Sequence, residues 1–163
     1  LQGAADVRMS TCSKALGAQG GFLSGRREVI SYMRCTSTPY TFTTAMAQTT
    51  LAAINGALDV LEQEPQRVRA LHTNRRYLED RLLEAGFTLT RTETGIVPVY
   101  LRDGIAGPFN HLLNAEGLFV NTMEYPMVSP GTERLRFSLQ AEHTQDQIDQ
   151  AVGIMKNTYR QFQ

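Results

Sequence analysis

Asp6-Val7-Arg8-Met9-Ser10-Thr11-Cys12-Ser13-Lys14-Ala15-Leu16-Gly17-Ala18-Gln19-Gly20-Gly21-Phe22 is the stretch on which the fold turns. Asp6 to Thr11 reads as a short strand, and Gly21 to Gly25 as the next one. Between them a lysine sits in a glycine-rich turn with hydroxyl residues on either side. Such a lysine acts as a Schiff-base nucleophile only where it is partly desolvated. Thr11 and Ser13 would set hydroxyls beside it, suited to an anionic phosphate. Gly17, Gly20 and Gly21 let backbone approach a ligand, or other backbone, closely. Taken alone, Ser13-Lys14-Ala15-Leu16-Gly17 reads rather as an exposed lysine in a turn. Cys12 reads as a small buried residue.

Outward from this stretch, Arg26 to Arg34 carries Val29, Ile30 and Met33 at helical spacing. A strand, a turn bearing chemistry and a second strand suit an α/β scaffold with its site at the strand ends. Tyr40-Thr41-Phe42-Thr43-Thr44-Ala45-Met46 then leads into a helical run from Ala47 to Glu62, with Thr43 or Thr44 as its N-cap. Pro65 suits the first turn of a new helix that continues to Ala85, with Val68, Leu71, Leu78, Leu82 and Leu83 as its apolar stripe and Gly86 as its stop.

Further on, Ile96 to Leu101 is rich in β-formers, and Pro98 predicts an edge strand. Ile105 to Glu116 is a helix candidate, Gly117 to Asn121 a strand, and Tyr125-Pro126 a turn. Glu133 to Leu139 alternates charged and apolar residues, so Arg134 and Arg136 share one face. Arg134 reads as a solvated or inter-strand charge. Thr144 with Gln147 predicts a capping box, and Ile148, Val152, Met155 and Tyr159 give the last helix its buried face. His143 reads as a helix-entry residue.

Composition narrows the classes. The 163 residues hold one ordinary domain or parts of two, and 42% hydrophobic content supports a core. Sixteen basic and sixteen acidic residues cancel, and no block of one sign occurs, which argues against nucleic acid as a partner. The apolar runs are too short for a membrane span. Two cysteines without a CxxC pair or paired-histidine spacing argue against zinc or any other metal and suggest free thiols in the cytoplasm.

Thr11-x-Ser13-Lys14-Ala15-x-Gly17-x-x-Gly20-Gly21 resembles the pyridoxal-phosphate lysine segment of the α-oxoamine synthase family. Ile96-Val97-Pro98-Val99, Gly117-Leu118-Phe119-Val120-Asn121, Pro126-Met127-Val128 and Arg134 through Thr144 resemble the pieces of that family's small domain, in the family's order. The resemblance implies the α/β transferase fold type I of pyridoxal 5'-phosphate enzymes. Residues 1–62 would form the C-terminal end of the cofactor-binding large domain, and residues 63–163 the α+β small domain. It further implies that the chain is the C-terminal part of such an enzyme, or half of a split one. The ring-stacking aromatic and the pyridine-nitrogen aspartate would then lie in an N-terminal portion, which becomes a required partner.

The same resemblance assigns roles. Lys14 would hold the cofactor as a Schiff base and take the substrate's α-proton. Thr11, with Ser13 as helper, would bind the cofactor phosphate. Thr43 and Thr44 match a segment that reaches the phosphate of the neighbouring subunit in a homodimer, although Ala47 and Gln48 stand where that segment has paired prolines. Arg136 would grip the substrate carboxylate through its bidentate fork. The implied reaction condenses an amino acid with an acyl thioester, carried on coenzyme A or a carrier protein, and loses carbon dioxide to give an α-amino ketone. Two other readings remain open: another fold-type-I enzyme, such as an aldolase or aminotransferase, or a non-catalytic partner subunit.

Overall fold

The computed structural model describes residues 3–162, and the chain divides into two compact units between Glu64 and Pro65.

In the first unit, β1 (Val7–Thr11) and β2 (Gly21–Gly25) form an antiparallel hairpin, with Val7 opposite Gly25 and Thr11 opposite Gly21. The glycine at 21 is a steric requirement of this pairing. A Cβ there would stand 2.7 Å from the Ser10 carbonyl oxygen, which is fixed backbone. Helix α1 (Arg27–Thr36) follows, then α2 (Thr38–Thr41) and α3 (Gln48–Gln63). Ser37 ends α1 and caps α2: its Oγ accepts from the Tyr40 N–H at 3.4 Å, and Pro39 occupies the first turn. Helix α3 starts within one residue of where the sequence places it. Its N-cap is Ala47, without a side-chain hydrogen bond, so neither Thr43 nor Thr44 caps it as the sequence predicts.

The second unit sets three α-helices around one antiparallel sheet. Helix α4 (Pro65–Glu84), β3 (Thr88–Leu89), β4 (Ile96–Tyr100), α5 (Ala106–Ala115), β5 (Asn121–Met123), β6 (Arg134–Ser138) and α6 (Gln145–Tyr159) follow in order. The strands lie in the order β3-β4-β6-β5. One face of the sheet carries Val97, Val99, Leu135 and Phe137 into a core with Leu78 and Leu82 of α4, Phe109 and Leu113 of α5, and Ile148, Val152 and Met155 of α6. Gly86 takes a positive φ of 89°, and the Phe87 N–H returns to the Leu82 carbonyl at 3.0 Å, which stops α4. Thr144 and Gln147 form the capping box of α6 in both directions.

The structure departs from the sequence reading at three further places. Pro98 lies on a strand flanked on both sides, not on an edge. The N–H groups of Leu101 and Leu139 bond across to Glu133 and Gly95, so the odd-numbered residues of β4 face β6. Position 98 therefore turns its missing N–H toward β3, which has already ended at Leu89 opposite Val99. The strand placed at Gly117–Asn121 begins instead at Asn121, because Gly117 and Leu118 are still bonded to the end of α5 at Asn114 and Leu113. In α4 the stripe is displaced: Val68 and Leu83 are exposed, while Arg75 and Glu79 join Leu78 and Leu82 in the interior.

The Glu79 carboxylate, 1% exposed, accepts from the Thr92 N–H at 3.0 Å and from Arg91 at 3.4 Å, with the Arg75 guanidinium at 3.8 Å. A buried carboxylate is tolerated only with partners of this kind. The cluster ties α4 to the segment between β3 and β4.

Candidate functional site

The turn after β1 is held by main-chain bonds. The Cys12 N–H donates to the Gly20 carbonyl at 2.8 Å, the Ala18 N–H to the Cys12 carbonyl at 2.9 Å, and the Gly17 N–H to the Lys14 carbonyl at 2.9 Å. Gly17 closes the lysine turn with a φ of 60°. Cys12 is buried beneath it, at 2% exposure, in accord with its reading as a small interior residue. Thr11 and Ser13 stand together, with Oγ1 and Oγ 2.8 Å apart, and the Ser13 N–H donates to Thr11 Oγ1 at 3.2 Å. Two hydroxyls and an amide thus cluster one residue from Lys14, whose side chain is exposed. That donor set is the kind a phosphate takes.

Thr11, Gly20 and Gly21 also line an open cleft of about 710 Å³ with Met9, Phe22, Ile30, Met33 and Tyr40. Its walls are mostly apolar, with Ser10, Thr11, Arg34 and Ser37 as the polar side chains among them.

Thr43 and Thr44 lie exposed in the loop between α2 and α3. The loop approaches the lysine turn through Met46, whose Cε closes on the space that a Cβ of Gly20 would occupy. A side chain at 20, where φ is 106°, would displace that packing as well as strain the backbone.

Arg136 stands in the second unit, on β6. The alternation of buried Leu135 and Phe137 turns Arg134 and Arg136 to the face away from the core, as the spacing predicts. Arg136 is half-buried, and its Nε is buried without a hydrogen-bond partner. A guanidinium in that condition has an unmet donor for an incoming acid. Arg134 is committed elsewhere, as an inter-strand charge: its guanidinium lies 4.9 Å from the centre of the Tyr100 ring opposite, and its Nε donates to the Thr132 carbonyl. His143 Nδ1 accepts from the Gln140 N–H at 3.3 Å, a helix-entry role.

Sequence reasoning passed over Asn121. It faces Arg136 directly across β5 and β6, but the two are separated in the chain and only the register joins them.

The chain matches the family model described as aminotransferase class I and II over residues 2–154. It is 35% identical to 8-amino-7-oxononanoate synthase 1 of Bacillus subtilis, over 100% of this chain and 42% of that protein. It is 36% identical to a serine palmitoyltransferase of Sphingobacterium spiritivorum, over 96% of this chain and 39% of the relative. Among solved structures it superposes on serine palmitoyltransferase with a pyridoxal phosphate internal aldimine at a TM-score of 0.90 and 32% identity, over 99% of this chain and 41% of the other. The Sphingomonas wittichii serine palmitoyltransferase gives a TM-score of 0.86 at 30% identity, over 96% and 40%. The chain thus spans about two fifths of the length of the curated relatives it matches.

Proposed function

The chain belongs to the aminotransferase class I and II family, among the α-oxoamine synthases, and we propose that it supplies the lysine and the carboxylate-binding half of a pyridoxal-phosphate acyltransferase. In this reading residues 1–62 end the cofactor-binding domain and residues 63–163 form the small domain. The remainder of the enzyme, matched to the rest of the relatives' length, contributes the groups that contact the cofactor ring. The assembled enzyme works as a homodimer.

The observation that carries the reading is the lysine turn, where paired hydroxyls and an amide gather at the residues that lead into Lys14. Lys14 Nζ is the group that would hold the cofactor. Thr11 Oγ1, Ser13 Oγ and the Ser13 N–H have the chemistry to take its phosphate, and Thr43 and Thr44 would add hydroxyls toward the neighbouring subunit's phosphate. Pyridoxal phosphate supplies the electron sink that stabilises negative charge at the α-carbon of an amino acid.

The protein's own work is positioning and proton transfer. Arg136 fixes the substrate carboxylate with a two-pronged grip, and the bare Nε supports that role. With the carboxylate fixed, the α-C–H bond is oriented for removal, and Lys14 Nζ, once free, takes the proton. The α-carbon would then attack the thioester carbonyl with the thiolate leaving, and loss of carbon dioxide followed by return of a proton to the α-carbon would give an α-amino ketone. A proton positioned in this way is worth roughly 10²–10⁴ in rate.

The test is an absorption spectrum of this chain assembled with the remaining enzyme length and supplied with pyridoxal phosphate. A visible band is expected, with Lys14→Ala abolishing it and lowering turnover by at least ~10²-fold. A band indifferent to that substitution would overturn the assignment of Lys14.

A further inference from the structure

The register of β5 and β6 points beyond Arg136. We infer that Asn121 is a second hydrogen-bonding group for the carboxylate that Arg136 grips, and so sets how tightly the amino-acid substrate is held. The inference rests on the assignment of Arg136 as the carboxylate site.

Asn121 and Arg136 are direct partners in the antiparallel pair. Such partners share a face, with Cβ atoms about 4.5–5.5 Å apart. Arg136 is on the face away from the core because Leu135 and Phe137 fill it, so Asn121 is on that face too. Asn121 opens an edge strand and is exposed, leaving its carboxamide free to meet a ligand. Nor is the carboxamide consumed by the arginine, whose Nε has no partner. A carboxylate offers about four lone-pair positions, and a bidentate arginine fills two of them. An amide N–H₂ beside the fork can fill a third. The other outward neighbour of Arg136 is Pro98, which has no polar side-chain atom to offer. Asn121 is therefore the polar side chain that the sheet sets directly across from Arg136.

The test uses the assembled enzyme loaded with pyridoxal phosphate and follows its visible spectrum during titration. Glycine, L-alanine and L-serine are the probes, with methylamine, ethylamine and ethanolamine as their carboxylate-free counterparts. Asn121→Ala is expected to retain the cofactor band, to raise the amino-acid Kd roughly tenfold, and to leave the Kd of the matching amine unchanged, since a hydrogen bond to a charged group is lost only with the acid. Asn121→Asp is expected to weaken the amino acid further, because its carboxylate competes for Arg136 and repels the substrate. Asn121→Gln should recover part of the affinity. A purely structural role for Asn121 would shift amino acid and amine alike.

If Arg136→Ala removes the preference for amino acid over amine while all Asn121 variants keep it, this inference is overturned and the carboxylate assignment stands. If Arg136→Ala also keeps the preference, or no amino acid perturbs the unsubstituted spectrum, the assignment itself fails and takes the inference with it.

Discussion

Asp149 on α6 is held by two residues of α4: the Arg81 Nε–H donates to it at 2.7 Å and the Tyr77 hydroxyl at 2.8 Å. The Arg81 bond, helped by Tyr77, holds the Asp149 carboxyl below its usual range. Tyr77's own hydrogen bond to the Asp149 carboxylate pushes its hydroxyl up. For Asp149 the folded pKa lies below the unfolded one. Its contribution to stability is therefore present above the ordinary carboxylate range and disappears as pH falls through the folded value. Asp149→Asn should accordingly unfold at lower denaturant than the unsubstituted protein at neutral pH, with the two midpoints converging in acid. A constant difference across pH would show that the ionised carboxylate contributes nothing. This pair was not legible in the sequence, because Arg81 and Asp149 lie 68 residues apart and only the packing of α4 on α6 joins them.

At the scale of elements, what the sequence announces is whatever is written locally. The capping box of α6 is such a case: Thr144 and Gln147 are three apart, and both bonds form. Thr144→Ala should cost about 1 kcal/mol, seen as a drop of several degrees in the melting temperature of a unit this size. No change in melting would mean that the cap is replaced by solvent without loss. The lysine turn was legible for the same reason, since its residues, hydroxyls and glycines fall within eleven positions.

Features set by tertiary context were misread. Pro98 carries an edge-strand signal, and the signal is locally true, because β3 is too short to reach it; no sequence pattern reveals the length of a neighbouring strand. The α4 stripe departs from the apolar pattern because Glu79 goes inward to meet Arg91 and Thr92, with Arg75 beside it, a pairing that hydrophobic periodicity cannot register. The delayed start of β5 hid Asn121 from the site.

Across the whole chain, the two units differ in how their apolar residues are used. Residues after Pro65 close around a continuous core in which Phe109, Leu135 and Met155 are fully buried. Before Glu64, Cys12 alone among the described residues is a buried apolar side chain, while Met9, Phe22, Tyr32, Tyr40 and Phe42 stay exposed, the last at 83%. Burial of apolar area is the main favourable term in folding, and the ordering of each residue costs about 1–2 kcal/mol against it. The second unit can meet that cost from its own side chains; the first buries far less apolar surface and leaves open the cleft that Met9, Phe22 and Tyr40 line. Residues 65–163 produced alone should therefore unfold in one cooperative denaturant transition, and Leu135→Ala should lower its stability by roughly 2–5 kcal/mol. Residues 1–64 alone should give neither a cooperative transition nor amide-exchange protection at Cys12. If the short piece did fold by itself, the lysine turn would be an autonomous element, and the cofactor band expected of the assembled enzyme should then appear on that piece as well.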